Sequence, residues 1–329
     1  MATEYGDITP RSAGFIAAEL LRRGLPFLVF EKFGQMKPIP NKKTKSIIFR
    51  RYEALSATPK ELAEGVTPSA AVLTHTDITA TLIQYGDRIQ LTDVIIDTHE
   101  DAVKEESVMV LGEQAAEMIE TVRFGIIKAG TNVFYANGST RAGVNTVLTL
   151  SMQRRITRAL KKQRARKITR VVRSTPDFGT SAIAPSFVAT CHSDCEGDIR
   201  NIPGFVSPEN YGAMTPWENE IGKIEDVRYL YSTVQTPFAD AGGSDGTTTL
   251  STTGSNSDVY PILYFARDAY GLVPLKGNNS LTPMVVNPTP SDSDPMAQRC
   301  HISWKSLQTA AILQDLWMAR GEVAVNINP

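Results

Sequence analysis

SIIFRRYEAL, residues 46–55, has the composition of a β-strand but not the polarity of one that packs on its own domain. Its odd positions carry Ile47, Phe49, Arg51, Glu53 and Leu55, and its even positions Ser46, Ile48, Arg50, Tyr52 and Ala54. A half-buried strand alternates apolar and polar residues, because successive side chains point to opposite faces. Here each face mixes large apolar groups with charge. The natural pairing partner, ITATLIQYGDRIQLTD at 78–93, has the same character, with Ile78 and Leu82 on one face and Thr79, Ile83 and Tyr85 on the other. The connection SATPKELAEGVTPSA, 56–70, is too long for a tight turn. The pattern predicts a long two-stranded loop with no clean inside.

Downstream lies the clearest helix, expected over 98–129. Asp97 or Thr98 is placed to cap it, and acids crowd its first turns, where the positive end of the helix dipole favours them. Val108, Leu111, Ala115, Met118 or Ile119, Val122 and Ile126 recur at steps of three and four, and Gly130 closes the element. About thirty residues at ~1.5 Å each make a rod of roughly 45 Å, which is the length of a structural spine. Upstream, residues 1–35 read as an arm. Thr9-Pro10 and SAGFIAAELLRR form a short helix there, and the apolar LPFLVFEKF, 25–33, is expected to dock on a partner surface, of this chain or of another.

A second helix is expected within 145–173, where Met152, Ile156, Ala159 and Leu160 supply one apolar stripe. Strands follow at SFVATC, KIEDVRYLYST and VYPILYFAR, as in an α+β chain. The segment ADAGGSDGTTTLSTTGSN, 239–256, reads as an exposed flexible loop. The final stretch, 304–325, fits a strand or a helix by periodicity; Trp304, Leu307, Ile312, Leu313, Leu316 and Trp317 mark it as buried.

Composition narrows the function. The chain has 329 residues, 42% of them hydrophobic and 21% charged, enough for a sizeable core. A formal net charge of −1 argues against a protein whose main task is to grip nucleic acid. No apolar run reaches the roughly 18 residues of a membrane-spanning helix, and no secretory signal opens the chain. The 3 cysteines suit a reducing cytoplasm.

Candidate chemistry is sparse. In TCHSDCEGD, 190–198, Cys191, His192, Asp194 and Cys195 crowd together. Structural zinc needs four ligands, normally from two separated pairs, and only His301 beside Cys300 approaches a second pair. A nucleophile needs its base beside it in space, whereas strand neighbours point to opposite faces. The plainer reading is a buried strand end at Cys191 followed by a helix capped by Ser193 or Asp194, with a cysteine hydrolase as the remote alternative. Asp292 and Asp294 in SDSDP read as a solvated turn. The chain has no Walker loop, no GxGxxG before a helix, no HExxH and no GxSxG. No catalytic, metal-binding or cofactor-binding residue is assigned, and no enzyme activity is expected. The basic run including Arg154, Arg155, Arg158, Lys161 and Lys162 contains no acid. It suits non-specific contact with a phosphate backbone, a solvated face, or a patch meeting the acidic region 97–120 of a neighbour.

The order of arm, long two-stranded loop, spine helix, α+β region and returning final segment resembles the major capsid proteins of tailed bacteriophages with the Hong Kong ninety-seven fold. The strings KPIPNKKTKSIIFRRYEAL, TDITATLIQYGDRIQLTD, LGEQAAEMIETVR, AGTNVFYANGS, CEGDIRNIPGFV, YPILYFARDAYGLVPL and SDSDPMAQRCHISWK are similar, in order, to capsid proteins of the N-four type of podophage. The resemblance implies an N-terminal arm at 1–35 and an extended loop with its base at 36–96. It implies a peripheral domain from 97–144 and 291–329, and an axial domain over 145–290 with a flexible loop at 239–258. The implied function is an icosahedral shell of hexamers and pentamers around double-stranded DNA, in the virion, after assembly in the cytoplasm of the infected bacterium. Implied partners are further copies of the chain, a separate scaffolding protein, a portal, a decoration protein and packaged DNA, with no membrane and no cofactor. An encapsulin-like nanocompartment is the alternative within the fold. The loop would lie across a neighbouring subunit, making Phe49, Arg50, Arg51, Tyr52, Ile83 and Tyr85 candidate inter-subunit contacts. Arg154, Arg155, Arg158, Lys161 and Lys162 would face DNA or a capsomer neighbour.

Overall fold

The computed structural model describes residues 28–62, 64–65, 67, 69–98, 102–172, 180–212, 215–275, 281–288, 290 and 295–329, with side chains except at 170–172 and 180–183. The expected helix of the arm, Asp292, Asp294 and Arg173 lie outside the described residues. In chain order the elements are β1 (Gln35–Met36), β2 (Ser46–Tyr52), β3 (His75–Thr81), β4 (Ile83–Thr92), α1 (Asp93–Thr98), α2 (Val103–Ile127), β5 (Val133–Tyr135) and α3 (Leu150–Lys162). They continue with β6 (Ile168–Val172), β7 (Thr180–Cys191), α4 (Glu196–Arg200), β8 (Phe205–Val206), β9 (Glu220–Ile224) and β10 (Val227–Tyr231). The last are β11 (Tyr260–Phe265), β12 (Tyr270–Pro274), β13 (Leu281–Val286), β14 (Arg299–Ile312) and β15 (Met318–Val323).

The ambiguous C-terminal stretch is a strand, then a short turn, then a second strand. Along β14 buried positions alternate from Cys300 through Ile302, Trp304, Ser306, Gln308 and Ala310, the period of a sheet with one face covered. One edge of β14 pairs with β4 in the register Arg299↔Thr92 to Gln308↔Ile83. Its other edge takes β13 and then β12, and β12 pairs in parallel with β1. Contrary to the expectation from 304–325, Leu316 is exposed between the two strands.

The long helix is shorter than expected. Thr98 ends α1 instead of capping α2, which begins after Ala102. Its 25 residues span about 37 Å. Val108, Leu111 and Ala115 pack with Leu91, Cys300, Ile302 and Trp304 across β4 and β14. Further along, the buried stripe passes to Phe124 and Ile127, which pack with Phe30, Phe265 and Tyr270. LPFLVFEKF therefore docks within its own subunit over its described residues, with Val29 and Phe30 fully buried.

The larger sheet runs β5-β15-β11-β7-β10-β9-β8, with β6 on β7. Helix α3 covers it. Thr149 caps the helix by accepting from the Met152 amide, and Met152, Ile156 and Leu160 enter a core with Phe187, Tyr229, Ile262 and Tyr264. Gln153 is also buried, donating to the Ile224 carbonyl at 2.9 Å and accepting from the Tyr229 hydroxyl at 2.8 Å. The expected peripheral stretches 97–144 and 291–329 contribute β5 and β15 to this sheet, while β12 and β13, from the stretch expected to be axial, join β14.

The segment 239–256 is not a free loop but a hydrogen-bonded knot. Fully buried Asp258 accepts from the Asp240 amide at 2.8 Å and from the Thr252 amide and hydroxyl at 3.0 and 2.6 Å. Asp240 in turn accepts from the Asn256 amide at 2.9 Å, and Leu250 N donates to Val325 O at 2.8 Å.

The opening strand has an inside after all. β2 pairs with β3 from Ser46↔Thr81 to Tyr52↔His75, but β3 ends at Thr81 and 83–92 leaves to join β14. The face bearing Ile47, Phe49, Ile78 and Ala80 packs on Ile39, Leu82, Val273, Ala311 and Leu313. A Cβ at Gly271 would lie 3.0 Å from the Phe49 ring, so glycine leaves the ring its seat. Phe49→Ala is expected to cost about 3 kcal/mol, as cavity-forming aromatic truncations do. It is expected to expose 46–81 to protease before the rest of the subunit melts; limited proteolysis with thermal denaturation checks this.

Candidate contact surfaces

The outward face of the β2–β3 hairpin presents Ile48, Arg50 and Tyr52 opposite Thr79, Asp77 and His75. Arg50 donates to both Asp77 carboxylate oxygens at 2.8 Å, and this hydrogen bonding holds the Asp77 carboxyl below the usual carboxylate range. The pair is solvent-facing and adds little stability by itself. Beside it Ile48 and Tyr52 are 51% and 59% exposed, and Leu55, Leu62, Val72 and Leu73 extend the apolar surface beyond the paired strands.

The candidate contacts divide accordingly. Arg50, Tyr52 and Ile83 are exposed. Phe49, expected to touch another subunit, is 6% exposed and belongs to the core of its own. Arg51 is turned inward: it donates to the Leu313 carbonyl at 3.2 Å, to the Gln314 side chain, and to Glu53 at 2.9 Å. Tyr85 packs on the cluster beneath α2. Overlooked from the sequence were Ile48 and a hollow of about 400 Å3 at the hairpin root, lined by Lys42, Lys43, Thr44, Lys45, Leu82, Gln84, Leu275 and Leu307. The Lys-Lys-Thr-Lys run was the available signal. These lysines form no ion pair among the described residues.

Part of the basic run is already neutralised. The helix stops at Lys162 and does not continue to Lys167. Arg154 meets Glu225 at 2.9 Å, while Lys161 and Lys167 both meet Asp226, at 2.6 and 2.9 Å, and hold its carboxyl below the usual range. Both acids sit in the β9–β10 turn, so the run finds its counter-charge within the chain. Arg155 donates to the Tyr135 carbonyl at 2.7 Å. Arg158 and Lys162 are exposed and form no ion pair among the described residues.

At 190–198 Cys191 ends β7 in the core, its thiol 3.6 Å from the Leu230 carbonyl, and Cys195 is equally buried. Burial pushes both thiols well above their ordinary pKa. The cap of the following turn is His192, not Ser193 or Asp194: its Nδ1 accepts from the Asp194 amide at 3.2 Å. Asp194 accepts from the Tyr260 hydroxyl at 2.8 Å. The His192 ring thus faces a capped turn and Tyr260, and each thiol is a packed core group. Among the described residues no three His, Cys, Asp or Glu side chains are grouped to hold a metal ion, and no helix is long and apolar enough to cross a membrane.

The sequence family described as phage capsid protein matches residues 76–225, from β3 to the β9–β10 turn. Among curated proteins no match is found. Similar folds occur in the capsid of Ralstonia phage GP4, with 12% identity, a TM-score of 0.67, and 90% of this chain and 88% of that one covered. The capsid of cyanophage Pam1 has 12% identity and a TM-score of 0.62, with 93% of both chains covered. That of cyanophage P-SCSP1u has 14% identity and a TM-score of 0.58, covering 90% of this chain and 88% of that one. The chain has the Hong Kong ninety-seven fold of phage capsid subunits.

Buried, deprotonation-resistant thiols react slowly. Cys191, Cys195 and Cys300 are expected to resist an aromatic disulfide reagent at neutral pH in the folded chain and to react together on denaturation. Rapid native reaction of Cys191 or Cys195 would return Cys191 and His192 to consideration as reactive groups.

Proposed function

We propose that this chain is the major capsid protein of a tailed, double-stranded DNA phage, built into hexamers and pentamers of an icosahedral shell. The observation carrying this reading is the family match over 76–225 within a fold shared with phage capsids over about nine-tenths of the chain. The hairpin surface agrees with it. Ile48, Tyr52, Leu55, Leu62, Val72 and Leu73 are exposed apolar groups on one projecting element, and contiguous exposed apolar surface marks an interaction site.

In this reading Ile48, Arg50, Tyr52 and Ile83 meet a neighbouring subunit, and Phe49 and Arg51 anchor the hairpin root that presents them. Lys42, Lys43 and Lys45 offer positive charge beside that contact. The layer of α2, β4, β13 and β14 serves as the peripheral domain, and the larger sheet with α3 as the axial domain. A scaffolding protein, a portal and a decoration protein are the proposed partners in assembly. Packaged DNA is proposed to meet Arg158 and Lys162, exposed cations of α3 that form no ion pair among the described residues, through sequence-independent attraction.

Electron microscopy of the purified chain tests the shell directly. Deleting 56–71, beyond the last paired residues Tyr52 and His75, is expected to leave a subunit with near-native melting but no closed shells. A deletion that unfolds the subunit, or one that still assembles, contradicts the assignment of the hairpin. Arg158→Gln with Lys162→Gln is expected to preserve shells while reducing the retained DNA, most clearly as salt is raised; unchanged DNA content removes these residues from that role.

A further inference from the structure

The middle of α2 carries a buried carboxyl that none of these surfaces uses. Glu120 is fully buried, and its Oε1 accepts from the backbone N–H groups of Val29 at 2.9 Å and Phe30 at 3.0 Å. Its Oε2 is buried with no hydrogen-bond partner among the described residues. The segment it grips is otherwise caged by aromatic rings. Phe30 lies 6.4 Å from Phe124, 6.2 Å from Phe265 and 6.3 Å from Tyr270, while the Tyr270 hydroxyl donates to the Phe30 carbonyl at 2.7 Å. Phe33 continues the contact, its ring 4.9 Å from Trp217.

The groups facing Glu120 come from every side of this junction. From α2 itself comes Arg123, 3.2 Å from Glu31 of the gripped segment and donating to the Gln308 side chain of β14 at 3.4 Å. From β12 comes the Tyr270 phenol. Arg123 favours an ionised Glu120, but Glu31 shares that guanidinium and opposes ionisation. Burial outweighs the rest and pushes the Glu120 carboxyl up to about 7.

We propose that Glu120 is a proton-dependent clasp that fixes the Val29–Phe33 segment to α2, tight when the carboxyl is neutral and loosened when it ionises. A neutral Glu120 keeps Oε1 as an acceptor for both amides and places no net charge in the aromatic cage. An ionised one leaves charge on Oε2, which no donor of the described residues reaches, and a buried charge without a partner is costly. Opening the segment returns the carboxyl to water, where it titrates near 4.5. The closed-state value is the higher one, so the hold is complete at low pH and is lost as pH rises through about 7. The clasp is internal to the subunit and does not depend on the shell assignment.

Hydrogen exchange of the full chain, read on peptides covering 28–34 and corrected for intrinsic exchange rates, tests it. Between pH 5.5 and 8 the protection of this segment is expected to fall on the order of 20-fold in the natural sequence. Glu120→Gln keeps the acceptor and removes the titration, and should show equal protection at both pH values. Glu31→Gln frees Arg123 to favour the ionised carboxyl, and should move the fall to lower pH. Flat protection in the natural sequence overturns the proposal, as does the same fall in Glu120→Gln. Should that variant not fold, an unmoved midpoint in Glu31→Gln has the same force.

Discussion

The subunit depends on a strand held along both edges and on one face. Along Arg299–Ile312 one edge is taken by β4 and the other by β13 and β12, while Cys300, Ile302 and Trp304 meet the apolar stripe of α2. Every neighbour of β14 thereby has its position fixed by a backbone ladder or a packed face. Gly86 shows how tight the fit is: opposite Lys305, a Cβ there would come 2.7 Å from the Trp304 carbonyl oxygen. A slip of one residue would turn Ile89 and Leu91 away from the cluster under α2, since side chains alternate faces. The hairpin inherits this register. Only Leu82 separates β3 from β4, and Leu82 is buried with Phe49 at the hairpin root.

The mixed polarity of 46–55 becomes intelligible on that frame. Strand pairing was legible, because alternation and β-branched residues depend only on neighbours. Which face turned inward was not, because Arg51 lies on the inward side and reads as solvent-facing. Its partners, the Leu313 carbonyl and the Gln314 side chain, stand more than 250 residues away in sequence. The outward face carries exposed Ile48 and Tyr52, without cover from the described residues of their own chain, whereas the root has one ordinary apolar face.

The same locality separates what else could be read. Helix α3 was legible from its apolar stripe, which repeats within neighbouring turns, although its Thr149 cap was not read. Its charge was misjudged because Glu225 and Asp226 reach it only through the fold. In 239–256 the Gly, Ser and Thr content suits a flexible linker and a knotted turn equally. Burial of Asp258, just beyond the segment, orders it, and an aspartate in a polar stretch gives no sign of burial.

Buried carboxylates recur at several places where segments of the chain meet. Glu120 receives the entering chain at Val29 and Phe30; Asp198 receives the departing chain at Asn326. Glu322 of β15 holds Arg141 through two bonds of 2.8 Å, and Glu220 of β9 holds Arg228, whose guanidinium lies 3.6 Å from the Trp217 ring centre. An apolar contact tolerates sliding, whereas a buried carboxylate is satisfied in few positions and penalises the others. Such groups add little net stability compared with apolar packing. Their effect here is to fix where chain ends and loops attach to two sheets whose cores are apolar. Glu120 differs from the others in having one oxygen without a hydrogen-bond partner among the described residues and no cation directly bonded to it, so its hold on the entering chain depends on whether that carboxyl carries charge.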